Sequence, residues 1–239
     1  MVFFPPMNAI LLVLALAVGD PDAEALEKFK NDYKAKDVAA RATAVEELAK
    51  TSSPKVCLRL GALLGADGPE VRVAAAKGLT LQRDDKKHAI PFLLNGASAN
   101  AKDPVVLTAI VTSLGSFREE AAAAEVNRLV HSSNLDLARA AVEAAGKIQS
   151  AGSFDVLIKE MKDCDDVLKP RDQGNPSFGN DVTRMGTGDA AVAVRDRATK
   201  LKPELVKALR EMSKVVCQDT KDWEEWWKEN RGKWKPAKS

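Results

Sequence analysis

Four nine-residue segments of this chain follow one pattern, and that pattern limits the fold more than anything else in the sequence. They are Ala40–Leu48 (ARATAVEEL), Val71–Leu79 (VRVAAAKGL), Val106–Leu114 (VLTAIVTSL) and Leu137–Ala145 (LARAAVEAA). Their starts recur about every 33 residues, a spacing typical of repeat architectures. The first position reads Ala40, Val71, Val106 and Leu137, and the fifth reads Ala44, Ala75, Ile110 and Ala141. The ninth reads Leu48, Leu79, Leu114 and Ala145. Those positions share one stripe of a helix, and the sixth (Val45, Ala76, Val111, Val142) widens it. Small residues dominate the stripe, so neighbouring helices can approach closely.

A second signal agrees with the first. Asp37, Gly68, Asp103 and Asn134 each lie three residues before a segment. All are residue types that serve the first unpaired N–H groups of a helix. Pro69 and Pro104 follow two of them, where a missing N–H costs nothing. Shorter apolar stretches fall between: Pro54–Gly65, Lys86–Asn95, Glu119–His131 and Phe154–Met161. Leu26, Phe29 and Tyr33 line one face of Asp22–Lys34. Ala190–Lys202 and Pro203–Val216 continue as helices. The unit is a helical hairpin stacked about five times. A lone hairpin of this kind cannot bury its apolar face, so each must lean on the next.

Here the chain resembles HEAT repeats. PEVRVAAAKGL (residues 69–79) looks like the second helix of that unit, and AIPFLL (89–94), with Pro91, like its kinked first helix. The resemblance covers roughly residues 37–163 and implies an all-α, right-handed α-solenoid. Arg41 and Arg72 match the arginine of the family's second helix, whereas Leu107 and Ala138 replace it later. Ala35 and Ala66 stand where the pairing turn aspartate belongs, with Asp67 one place away, so no continuous Asp–Arg ladder is expected. The family's second helices line a concave face. Positions 3, 4 and 7 of the segments are expected on the solvent side. They carry no basic stripe and no aromatic column, which argues against a nucleic-acid groove. The 36 basic and 34 acidic side chains leave a net charge of only +2.

The first nineteen residues contain no charged side chain, and Ala9–Val18 is an unbroken apolar run. It is shorter than the roughly 20 residues a spanning helix needs. Small Ala17 and Gly19 fit a cleavage after Gly19, so residues 1–19 read as a signal peptide and the mature chain as exported, periplasmic or secreted. The alternative, a buried N-terminal helix, would have to accommodate Pro5 and Pro6. No later segment is apolar enough to span a membrane.

The expected layout follows: the leader over 1–19, HEAT-like repeats over 20–165, a loop rich in Gly, Pro and Asp over 166–189, C-terminal helices over 190–232 and a basic tail over 233–239. Within the loop, Gly186 to Asp189 could form an anion-binding nest, or a turn with Asp189 as helix cap. Its aspartates match no calcium loop. Phe178, Arg184 and Met185 are candidate partner contacts, although Phe178 and Met185 can equally tuck the loop onto the repeats.

Trp223, Trp226 and Trp227 share one face of a short helix for which Thr220 is the expected cap. They read as a terminal cap covering the last repeat, or as a sugar platform. The W-x-x-W-W-x-x-N string resembles the end of many bacterial HEAT-type proteins, which favours the cap. Cys57 is expected to be a buried thiol, while Cys164 and Cys217 could pair in an oxidising compartment. His88 and His131 are expected at the surface or between helices. No Cys or His cluster has metal-ligand spacing, no catalytic fingerprint appears, and no carboxylate sits in an apolar patch.

The expected function is therefore a non-catalytic, monomeric scaffold without cofactor or metal, binding an unidentified protein and no nucleic acid. The alternatives are a carbohydrate or small-ligand binder using the tryptophans, or a HEAT-fold enzyme of the lyase kind.

Overall fold

The computed structural model describes residues 20–169 and 189–236. The expected leader, nearly all of the long loop and the last three residues lie outside the described residues. The described residues form eleven α-helices and no strand. They are α1 (Pro21–Asp32), α2 (Val38–Ala49), α3 (Pro54–Leu63), α4 (Pro69–Thr80), α5 (Lys86–Ala99), α6 (Pro104–Phe117), α7 (Ala123–Val130), α8 (Leu135–Ile148), α9 (Ala151–Leu168), α10 (Asp189–Ser213) and α11 (Thr220–Asn230). The fold class is an all-α solenoid of helical hairpins. Among the described residues, no helix is long and apolar enough to cross a membrane.

The helix starts follow the expected chemistry. Asp37, Gly68, Asp103 and Asn134 are the N-caps of α2, α4, α6 and α8. The Asp37 carboxylate accepts from the Ala40 N–H at 2.9 Å, and Asn134 does the same for Leu137 at 3.0 Å. Glycine at 68 caps through its open backbone, with no side-chain bond.

The chain divides into two compact units, residues 1–92 and 93–239. In the first, α2 packs against α4, and α1 and α3 lean on that pair. Val45, Val71, Ala75 and Leu79 are fully buried there, as the stripe requires. In the second, α6, α8 and α10 pack in sequence, with α7 and α9 beside them and α11 against α9. Val106, Ile110, Leu114, Ala141 and Val142 are likewise sealed.

Close approach depends on missing side chains. A Cβ at Gly78 would lie 2.8 Å from the Ala49 Cβ, and one at Gly115 would lie 2.7 Å from the Ala144 Cβ. Gly146 meets Ala208 in the same manner, at 3.2 Å. That last contact identifies a fifth copy of the segment, Leu201–Leu209 (LKPELVKAL), in which Leu201, Leu205 and Leu209 are fully buried. The long insertion before it hides this copy from the repeat spacing.

Four expectations need correction. The helices expected over 190–202 and 203–216 are one helix, α10, with Pro203 inside it. The burial of Leu201 and Leu205 on either side of the proline holds the helix together across it. The loop expected from residue 166 begins later, because α9 runs to Leu168. The Arg195 guanidinium donates to the last carbonyls of α9, Val167 at 3.5 Å and Leu168 at 3.3 Å, which supports that extra half-turn. Thr220 is the first residue of α11 and Asp219 is its N-cap, accepting from the Asp222 N–H at 2.9 Å. At position 4, Ala74 is buried instead of facing solvent, since α2 and α4 pack closely around it.

The displaced aspartate also finds its arginine. Asp67 sits in the turn before α4 with φ of 65°, and its carboxylate takes a two-point contact from Arg41 at 2.6 and 2.7 Å. Tyr33 donates to the same carboxylate at 2.7 Å. Arg41 also donates to the carbonyls of Ala35 and Lys36, so one side chain ties two successive turns together. The hydrogen bonds from Arg41 and then Tyr33 hold the Asp67 carboxyl far below the usual carboxylate range. A depressed folded-state pKa contributes stability above the unfolded value, near 4, and loses it as pH falls further. Asp67→Asn tolerates the left-handed backbone but removes the charge. We expect it to cost about 2 kcal/mol at neutral pH, the worth of hydrogen bonds to a charged group. The difference from the parent should shrink as pH falls below about 4, where the parent loses its own advantage. Denaturant midpoints measured against pH check this.

Candidate functional site

Position 7 is exposed in all four original copies: Glu46, Lys77, Thr112 and Glu143. In the second unit, α6 presents Thr108, Thr112 and Ser116, whose hydroxyls donate to the carbonyls four residues earlier. Beside them, α8 and α10 carry a charged ridge. Arg139 donates to Glu204 at 2.8 Å across the two helices, and Lys147 pairs with Glu143 at 2.7 Å. The ridge holds both signs.

A pocket of about 650 Å³ opens where the second helices of this unit end. Arg118, Gln149 and Lys214 line it, each with a left-handed backbone, at φ of 56°, 56° and 62°. Arg118 and Gln149 are the C-caps of α6 and α8, and Lys214 directly follows α10. Glu119, Glu120 and Glu211 line it as well, so the lining is mixed and close to neutral.

Two carboxylates are buried, contrary to the sequence expectation. Asp85 is 6% exposed and Glu160 is 4% exposed. Each meets an exposed histidine: His88 Nδ1 lies 2.6 Å from Asp85, and His131 Nδ1 lies 2.5 Å from Glu160. The Asp85 site in the first unit brings together a thiol, a carboxylate and an imidazole, with Cys57 beside Asp85. The order is wrong for nucleophilic catalysis, because the thiol adjoins the acid and not the base. Burial, with the Asp85 carboxylate adding to it, pushes the Cys57 thiol up to about 12. A thiol so protonated is a poor nucleophile at neutral pH.

The Glu160 site joins three elements of the second unit. Arg197 of α10 donates to Glu160 at 2.7 Å, to the Ser132 carbonyl at 2.9 Å and to the Val130 carbonyl at 3.3 Å. It thereby fixes the turn after α7 to α9. One turn further along α9, Asp165 accepts from Lys202 of α10 and Thr220 of α11. Burial alone would raise the Asp165 carboxyl, but those two donors outweigh it and hold it below its ordinary value.

Of the sequence candidates, Phe178, Arg184 and Met185 lie outside the described residues, as do Gly186, Thr187 and Gly188. Asp189 opens α10 as its first residue. Cys164 and Cys217 are both free thiols. Cys164 is buried on α9, where the loss of water pushes it up to about 11, and Cys217 is half-buried beyond α10. Trp223 and Trp227 are buried at 1% and 5% exposure, and Trp226 is half-buried. Phe154 of α9 stacks on Trp227 at 4.2 Å and meets Trp226 at 5.6 Å, and Trp223 meets Trp226 edge-on at 6.3 Å. Trp234 meets Phe154 edge-on at 5.0 Å. The Trp227 indole N–H donates to Asp155 at 2.9 Å.

Sequence reasoning missed the Glu160 site because its members are far apart in the chain. The available signal was the repeat spacing itself, which sets His131 of one hairpin near Glu160 of the next. Residues 90–170 match the family model described as HEAT repeats, a stretch that holds most of α5 and all of α6 to α9. No curated protein matches the chain.

Proposed function

We propose, starting from that match, that this HEAT-repeat chain is a non-catalytic scaffold that binds or assembles another protein. It works as a monomer outside the cytoplasm, after residues 1–19 are removed. Its α11 closes the array, with Trp223, Trp226 and Trp227 covering α9 and polar side chains outside. The observation that carries the reading is the ridge on α8 and α10. Arg139, Glu204, Glu143 and Lys147 alternate in sign beside the hydroxyls of α6. A surface of mixed charge and hydroxyls complements another protein, whose own surface alternates, better than it does a polyanion. The burial of Trp223 and Trp227 supports a packing role over a sugar platform.

The test is a charge swap. Arg139→Glu combined with Glu204→Arg keeps an ion pair between α8 and α10 and reverses its polarity on the face. Captured from culture medium or cell envelope, a partner of the parent protein should be lost or weakened at least tenfold by the swap, since like charges meeting across an interface are costly. Thermal unfolding should be unchanged. Capture that ignores the swap overturns the proposed contact face. Deleting residues 166–189 in parallel tests Phe178, Arg184 and Met185.

A further inference from the structure

We propose that His131, Glu160 and Asp163 form a mononuclear site for a divalent transition ion of the zinc class. The site lies between the end of α7 and the C-terminal half of α9. One ligand atom from each of the three comes within 4.8 Å of the others. An imidazole nitrogen with two carboxylate oxygens is a mixed donor set. It suits zinc and its neighbours, whereas calcium and magnesium favour oxygen alone and more ligands.

The parts are unequally fixed, which is what an entering ion needs. The Glu160 side chain is only 5% exposed, and Arg197 grips one of its oxygens at 2.7 Å. The other oxygen faces His131 Nδ1. Arg197 therefore orients the ligand from behind, as outer groups do at metal centres. His131 and Asp163 are at the surface and free to adjust. Asp163 stands three residues after Glu160, on the same face of α9. Its carboxylate has no ion pair or hydrogen bond among the described residues.

Ligand atoms round a tetrahedral zinc are separated by about 3.3 Å, given bonds of about 2 Å. Small rotations of His131 and Asp163 close the set to that size. The present contact of 2.5 Å between His131 and Glu160 opens as the ion enters between them. Water fills the fourth position from the exposed side. The bound ion fastens the turn after α7 to α9, so two successive hairpins share it.

A structural network of His131, Glu160 and Arg197 accounts for three of these groups without an ion, and the experiment separates the two. The full chain, freed of metal by chelation, is titrated with Co²⁺ as a coloured probe and then with Zn²⁺. One Co²⁺ per chain is expected, with the visible bands of a site of low coordination number, displaced by Zn²⁺. His131→Gln keeps a donor toward Glu160 but loses the ring nitrogen, and Asp163→Asn keeps the size but loses the charge. Each should weaken Co²⁺ binding at least about tenfold. Zn²⁺ should raise the thermal midpoint of the parent and of neither variant. Absence of Co²⁺ binding overturns the proposal, and so does binding that either substitution leaves unchanged.

Discussion

Gly115→Val is expected to destabilise the second unit by about 3 kcal/mol, at the upper end of what overpacking costs. A Cβ at residue 115 would already lie 2.7 Å from the Ala144 Cβ and 2.8 Å from its Cα. The obstacle is the backbone of a neighbouring helix and not the tip of a side chain, so no rotation relieves it. Either α6 and α8 move apart, and the buried Val106, Ile110 and Val142 lose contact, or the helix distorts. Gly65→Ala is the control. Nothing lies within 4 Å of a Cβ there, so its effect should stay within about 0.5 kcal/mol. Denaturant midpoints of the two variants, measured together, check the expectation. Equal midpoints would show that the helices do not touch as described.

Phe154→Ala is the second large effect, expected at about 3–5 kcal/mol. Phe154 is fully buried at the centre of the aromatic group. Removing it strips Trp227 of its stacking partner at 4.2 Å and Trp234 of its edge contact at 5.0 Å. Residue 154 lies in α9 and the tryptophans lie in and beyond α11, so the loss falls on the join between them. Tryptophan emission should shift to the red at denaturant concentrations where the parent is still unchanged. A variant whose emission and midpoint match the parent would remove the join from the account of stability.

The repeat was legible because its signals are local. Asp37, Gly68, Asp103 and Asn134 announce helix starts within a few residues of the apolar stripe they precede. The alanines of that stripe imply close packing. What stayed hidden depends on distant partners. Asp67 is one place from the expected turn position, yet it reaches Arg41 because a left-handed backbone turns its carboxylate toward the preceding hairpin. Glu160 looks like any surface acid in sequence, and only the packing of α7, α9 and α10 shows it buried. Pro203 suggested a break, because a proline inside a helix usually costs one. The apolar residues flanking it prevailed.

The three left-handed stops at Arg118, Gln149 and Lys214 have a further effect. Each helical residue advances the chain by about 100° around its axis. One residue inserted into any of α6, α8 or α10 would swing its terminal side chain away from the common rim and carry the following turn with it. The hollow at the helix ends therefore depends on where each of the three helices stops, and drift in those stops would erase it while leaving the buried leucines and valines in place.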